Sequence, residues 1–388
     1  SGISFVVIFN KQVENMQKLK VLLENNTLSM QGPKHKESIS ISSRYPWDDF
    51  SETLFSSLGT MHMVAPYLPK TIETNFTIPR PVQDLVRAMY LFEKGGKPKF
   101  VTSAGSKSLK SSNKPNGRVA IAYSAGKDSM WNLWWAIEKY GPDNVLVVHI
   151  RNLNRNNGSN EVKHVLNQQK QFGFKHLEVI ELKNGSLNTG YATMRSRDMF
   201  LAGVVIPVAL EFGASKIITE GFADTKPTEP FTGHESNMRY FNQILRELKI
   251  PVQVTWRNRD EMLTIKDLYK NRPEWMPHVC NCFCIPCYQN FFKRAWQKRS
   301  PFFPLYESQC GACVKCRITN IARILYDPTI QKVKQEDVRA FLKNTDAWIR
   351  SKRHGLSYMI EGPFMRDFAT ACKRYDVPAR SLNGVANA

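Results

Sequence analysis

The residues with the clearest chemical potential stand in one run, Val119-Ala120-Ile121-Ala122-Tyr123-Ser124-Ala125-Gly126-Lys127-Asp128-Ser129. An apolar stretch ends in small residues, and a helical pattern begins at once. That order sets backbone N–H groups and the positive end of a helix around an anion. Small side chains let the backbone approach a phosphate, and the hydroxyls of Ser124 and Ser129 add donors. The run is not a Walker A loop, which needs G-x-x-x-x-G-K-[ST]. Its bland alternative is an ordinary strand–turn–helix junction capped by Asp128.

The second chemical set is thiol. Cys310, Cys313 and Cys316 form two overlapping C-x-x-C steps, a spacing that gathers thiolates around one zinc ion at about 2.3 Å. A tetrahedral site needs a fourth ligand. Cys280, Cys282, Cys284 and Cys287 are the candidates, and Cys284-x-x-Cys287 has the best spacing, with Cys287 taken as the fourth ligand and the others left open. The same thiols could hold two zinc ions or an iron–sulfur cluster, or stay buried and free.

These residues need elements to position them. Residues 118–123 read as a buried strand and 129–139 as a helix, with Trp131, Trp134 and Trp135 as core packing. Further strands are expected at 145–150, 177–182, 216–219 and 252–256, and helices at 160–172, 197–212 and 237–248. Such alternation implies an α/β fold with a doubly wound parallel sheet, to which the chain adds a Cys-rich zinc-binding segment at 280–316. Ligands in such sheets bind beyond the carboxyl ends of the strands. Three segments follow: an N-terminal accessory domain at 1–115, a catalytic domain at 118–330 and a basic helical extension at 331–388. The first has an expected strand at 3–9, a helix-like stretch to Leu23 and a helix at 82–92, and ends in a Ser-, Lys- and Gly-rich linker at 103–117. The last has expected helices at 335–343 and 364–373.

The loop Ser124–Ser129 reads S-A-G-K-D-S and resembles the S-G-G-x-D-S loop of PP-loop ATP pyrophosphatases. Ala125 stands where that family has Gly, and a left-handed backbone there would strain it. Arg197-Asp198-Met199-Phe200-Leu201 and Glu220-Gly221-Phe222-Ala223-Asp224 are similar to two stretches of the 7-cyano-7-deazaguanine synthases. Cys310–Arg317, followed by Asp327-Pro328-Thr329, is similar to their cysteine run and D-P-T ending. The resemblance covers residues 118–330. It implies ATP and Mg²⁺ at Ser124, Ala125, Gly126, Lys127, Asp128 and Ser129, with Lys127, Asp128 and Ser129 closest to the chemistry. It implies a deazaguanine carboxylate as substrate, met by Arg197, Glu220 and Asp224. Structural Zn²⁺ would sit on Cys310, Cys313, Cys316 and Cys287. The product would be an amide or nitrile, formed by adenylation and ammonia attack.

The whole chain bounds these readings. Its 388 residues are 42% apolar and 23% charged, with a mean hydropathy of −0.38. That suits two or three globular domains and excludes collagen, coiled coil and wholesale disorder. No apolar window reaches the roughly eighteen residues of a membrane span, and residues 3–9 lack the flanks of a secretory signal. All cysteines but Cys372 cluster between Cys280 and Cys316, which points to metal binding in a reducing cytoplasm. The 54 Lys and Arg against 34 Asp and Glu leave a charge of +20, which favours polyanions, including a nucleic-acid or protein acceptor. Two rival readings remain: a PP-loop nucleic-acid thiolase, and a binding module that leaves ATP uncleaved.

Overall fold

The computed structural model describes residues 18–32, 36–41, 45–92, 97–103, 114–152, 158–184, 191–221, 235–258, 260–281, 303, 305–306, 309, 311, 313–351 and 362–382. The strands are β1 (Lys18–Glu24), β2 (Thr27–Gln31), β3 (Lys36–Ile41), β4 (Thr71–Thr74), β5 (Lys99–Thr102), β6 (Arg118–Ala122), β7 (Val145–Asn152), β8 (His176–Asn184), β9 (Ala214–Gly221) and β10 (Gln253–Asn258). The helices are α1 (Asp49–Val64), α2 (Arg80–Phe92), α3 (Lys127–Tyr140), α4 (Gly158–Phe172), α5 (Tyr191–Glu211), α6 (Glu235–Glu247), α7 (Glu261–Asn271), α8 (Val314–Tyr326), α9 (Gln335–Ser351) and α10 (Pro363–Arg374). The fold is mixed α/β. It divides into a first unit (residues 1–116, 181–215 and 226–254) and a second (117–180, 216–225 and 255–388). The expected strand at 3–9 lies outside the described residues.

In the first unit the strands run β3-β2-β1-β4-β5. β1 and β4 pair in parallel, as do β4 and β5. β1–β2, β2–β3 and β3 with the end of β8 pair antiparallel, so the pairing here is mixed rather than wholly parallel. The helix-like stretch to Leu23 is strand β1 over its described part. Leu19 and Val21 are buried while Lys18 and Lys20 face out, a two-residue period that no helix can satisfy. Asn25 and Asn26, at φ 43° and 27°, turn the chain into β2 as a two-residue hairpin loop requires.

Helix α1 begins at Asp48, whose carboxylate accepts the Ser51 N–H at 2.7 Å, satisfying one of the donors left open at a helix start. It is buried almost all round and packs on α5. The approach is close because Gly203 carries no side chain; a Cβ there would stand 2.2 Å from Leu58 Cδ1. His62 is buried in this interface, with Nδ1 at 2.8 Å from Ser196 Oγ and its ring stacked on Phe200. Its Nε2 is buried without a hydrogen-bond partner among the described residues.

In the second unit the strands run β10-β9-β6-β7-β8. The chain builds β6, β7 and β8 in one direction and then returns to place β9 on the other side of β6. That reversal is the kind of switch point where α/β sheets open a crevice. β6 and β7 pair in parallel, with Val119 opposite Val145. Val119, Ala120 and Ile121 are fully buried, which explains the unbroken apolar run. Trp131 is buried, and Trp134 and Trp135 pack partly buried against the same core, which includes Ile265, Ile321, Phe341 and Phe368. No helix among the described residues is long and apolar enough to cross a membrane.

Burial, with the Arg197 charge adding to it, pushes the pKa of His62 down to about 3 from an ordinary 6.5. The folded pKa is depressed, so this imidazole favours the folded state fully above pH 6.5. That contribution is lost as pH falls toward 3, by up to about 1.4 kcal/mol per pH unit. Urea unfolding of His62→Gln should therefore show a shallower loss of stability between pH 6 and 4 than the parent. Equal slopes would show that His62 protonates in the native protein.

Candidate functional site

The loop begins where β6 ends. The Tyr123 N–H donates to the Val148 carbonyl at 2.8 Å, extending the β6–β7 pairing by one bond. His149 donates from Nδ1 to the Tyr123 carbonyl at 2.9 Å; a carbonyl only accepts, so the proton sits on Nδ1. Burial pushes the His149 pKa down and outweighs this bond, so the ring is neutral. The Tyr123 hydroxyl donates to Gln168 Oε1 at 2.6 Å.

Ala125 then takes a left-handed backbone, φ 63°, with its methyl fully buried. Left-handed geometry costs a non-glycine residue about 1 kcal/mol. Two donors hold it: Gln168 Nε2 and the Cys280 N–H reach the Ala125 carbonyl at 3.1 and 3.0 Å. Gln168 Nε2 also reaches the His278 carbonyl at 2.7 Å. Residues 278–280 and α4 therefore both brace the loop. A side chain on Gly126 would crowd Ser124 Oγ at 3.3 Å and approach the Cys280 carbonyl at 3.8 Å.

Helix α3 opens at Gly126 with no side-chain cap, so its first amides are not covered by an N-cap side chain. The exposed Ser124 and buried Ser129 stand together, their hydroxyls 3.2 Å apart. Ser129 Oγ donates to the Gly126 carbonyl at 3.0 Å. Ser124 Oγ donates to Glu220 Oε1 at 2.8 Å. Glu220 lies near the end of β9, so the neighbours β6 and β9 bring Ser124 and Glu220 together at the reversal of strand order. Crowding by protein atoms and the nearby Asp128 carboxylate push the Glu220 pKa up. Its side chain keeps solvent access, which limits that shift.

Lys127 does not reach solvent. Its side chain is fully buried and paired with Asp128, and Glu261 Oε1 stands 3.6 Å from its ammonium. Burial works to lower its pKa, but Asp128 and Glu261 outweigh that and raise it, so Lys127 is a cation. Lys315 Nζ lies 2.5 Å from the same Glu261 oxygen. Burial would raise the Glu261 pKa, yet Lys127 and Lys315 hold it below the usual carboxylate range. Glu261, Lys315 and Gln168 were not among the sequence-derived candidates. Glu261 follows Asp260, the N-cap of α7. That capping position is all its local sequence signals.

Arg197 lies on α5 in the first unit, half-buried, with Nε 3.0 Å from Asp198 Oδ1. Asp224, Cys282, Cys284, Cys287 and Cys310 lie outside the described residues. Cys313 is the N-cap of α8, and Cys316 is buried in its first turn. Among the described residues no three His, Cys, Asp or Glu converge as a metal site. Arg317 donates to Thr345 and Asn344 on α9. Asp327 accepts from Thr329 and from Arg323, so both residues of the cysteine-run and D-P-T resemblance have structural partners here. Cys372 is buried away from these thiols in the sequence, and burial and Asp346 push its pKa up to about 12, which makes it inert.

Comparison with protein-family models and with curated proteins returned no match.

The loop's backbone yields a direct test. Ala125→Gly relieves about 1 kcal/mol of left-handed strain but forfeits a buried methyl of similar worth and loosens the unfolded chain. Its unfolding free energy should stay within about 1 kcal/mol of the parent. Ala125→Val adds a branched side chain at positive φ in a packed core and should cost at least about 2 kcal/mol. A Val variant as stable as the parent would mean that φ here is not positive in solution.

Proposed function

We propose that residues 124–129 bind the phosphates of ATP, and that the protein cleaves ATP to AMP and pyrophosphate to activate a deazaguanine carboxylate, in the manner of the 7-cyano-7-deazaguanine synthases it resembles. One observation carries this reading. At the position where the family has glycine, Ala125 adopts the left-handed backbone that glycine favours. The departure in residue type therefore leaves a glycine-like turn between strand and helix. Its place beside the reversal of strand order supports a ligand there.

The substrate carboxylate would attack the α-phosphorus of ATP, and pyrophosphate would leave. Ammonia would displace AMP to give the amide, and a second adenylation with loss of AMP would give the nitrile. Ser124 and the opening amides of α3 would donate to phosphate oxygens as charge develops on them, while the buried Ser129 braces the turn through the Gly126 carbonyl. Asp128, which follows Lys127 in the loop, and Glu220, which accepts from Ser124, are the carboxylates that would hold a divalent cation there. Mg²⁺ held there would draw charge from the phosphate oxygens. Cys313 and Cys316, one turn apart at the start of α8, fit two thiolate positions of a structural zinc site; Cys310 and Cys287 are the further ligands proposed. The +20 charge supports a polyanionic or protein acceptor for the product.

A second reading, nucleic-acid sulfur transfer, rests on the position of Cys280, which its backbone bond to Ala125 holds beside the loop. An iron–sulfur route would give a coloured protein, and a persulfide route a product that depends on a sulfane-sulfur donor.

The deciding experiment measures pyrophosphate release from ATP and Mg²⁺, with and without 7-carboxy-7-deazaguanine and ammonium, followed by mass spectrometry of the base. Substrate-dependent AMP with amide or nitrile is the expected result, and Ser124→Ala should slow it by about a hundredfold. A folded protein that releases no pyrophosphate with every component present would sink the synthase reading.

A further inference from the structure

We propose that Glu261 is a positioning residue that sets how much of the Lys127 charge the loop presents, and that Lys315 adjusts its grip; this rests on the reading of the loop as a polyphosphate site. The Lys127 side chain is fully buried, so its ammonium cannot turn to solvent without breaking its pairs. Those pairs are Asp128, on its own helix, and Glu261, at the start of α7. Glu261 uses one oxygen, Oε1, for both Lys127 at 3.6 Å and Lys315 at 2.5 Å. Its other oxygen is buried with no hydrogen-bond partner among the described residues. The shorter contact belongs to Lys315. Glu261 therefore divides its charge between Lys127 and Lys315.

The groups that act on one another here are Lys127, Lys315, Asp128, Glu220 and Glu261. Removing the Glu261 charge leaves Lys127 balanced by Asp128 alone among its direct pairs, and the loop becomes more positive. Removing the Lys315 charge gives Glu261 wholly to Lys127, and the loop becomes less positive. A unit charge at this range, partly screened, shifts anion affinity by about fivefold. Lys315 stands between Cys313 and Cys316. The phosphate loop and the cysteine helix thus share a single carboxylate oxygen.

The test is equilibrium binding of ATP with Mg²⁺ to the full chain, its Glu261→Gln and Lys315→Met variants and the double variant, with folding checked by thermal unfolding. Glu261→Gln should bind about fivefold tighter and Lys315→Met about fivefold weaker. The Lys315→Met effect should disappear in the Glu261→Gln background, because Lys315 acts through Glu261. An equal Lys315→Met effect in both backgrounds would reduce Lys315 to a distant field charge and overturn the proposal. Weaker binding in both single variants, or no change in either, would overturn it as well. Should Glu261→Gln fail to fold, Glu261→Asp takes its place in the cycle, with the shortened side chain releasing Lys127 first. Binding by the parent without this pattern sinks the role of Glu261 alone. A parent that binds no ATP sinks the phosphate reading and this proposal with it.

Discussion

The site hangs on one peptide carbonyl. To leave a buried strand and start a helix within a few residues, the chain turns left-handed at Ala125, a conformation that an L-residue with a side chain resists. The Ala125 carbonyl that this turn presents accepts from Gln168 and from the Cys280 backbone. Gln168 is fixed in turn by the Tyr123 hydroxyl and reaches the His278 carbonyl. Strand β6, helix α4 and the segment at 278–280 therefore meet at one acceptor. The buried methyl of Ala125 and the tight space above Gly126 leave little freedom for a different turn.

Around that turn the charges divide by burial. Lys127 lies fully inside with Asp128 and Glu261 as partners, whereas pairs such as Lys175 with Asp143 lie at the exposed surface. Exposed pairs are worth little because water and salt screen them. A buried ammonium without its carboxylates would be severely penalised. The Lys127 group is therefore part of the frame beneath the loop. The donors nearest the loop's surface are Ser124 and the first amides of α3.

Much of the second unit was legible from residue pattern. The strand at 118–123 and helix at 129–139 appear as β6 and α3, because an unbroken apolar run followed by a mixed amphipathic stretch has few other solutions. The strain at position 125 was legible too, from a single Ala in a Gly context. Other elements were not. Helix α1 is buried almost all round and rich in Ser and Thr, so it has no amphipathic face to detect. Strands β2 to β5 are short, and β1 hid its two-residue period within a longer polar stretch. Helix α7 is announced locally by little more than its capping Asp260.

Local chemistry thus determined which residues could meet a phosphate: a strand, small residues and two serines in direct succession. Short-range sterics act within such a run whatever surrounds it. The partners of those residues were decided only by tertiary structure. Glu220 reaches Ser124 because β9 lies beside β6, and Glu261 reaches Lys127 because α7 packs near α3. These contacts join residues 96 and 134 positions apart. No periodicity or motif encodes such pairings, because they follow from strand order and helix packing.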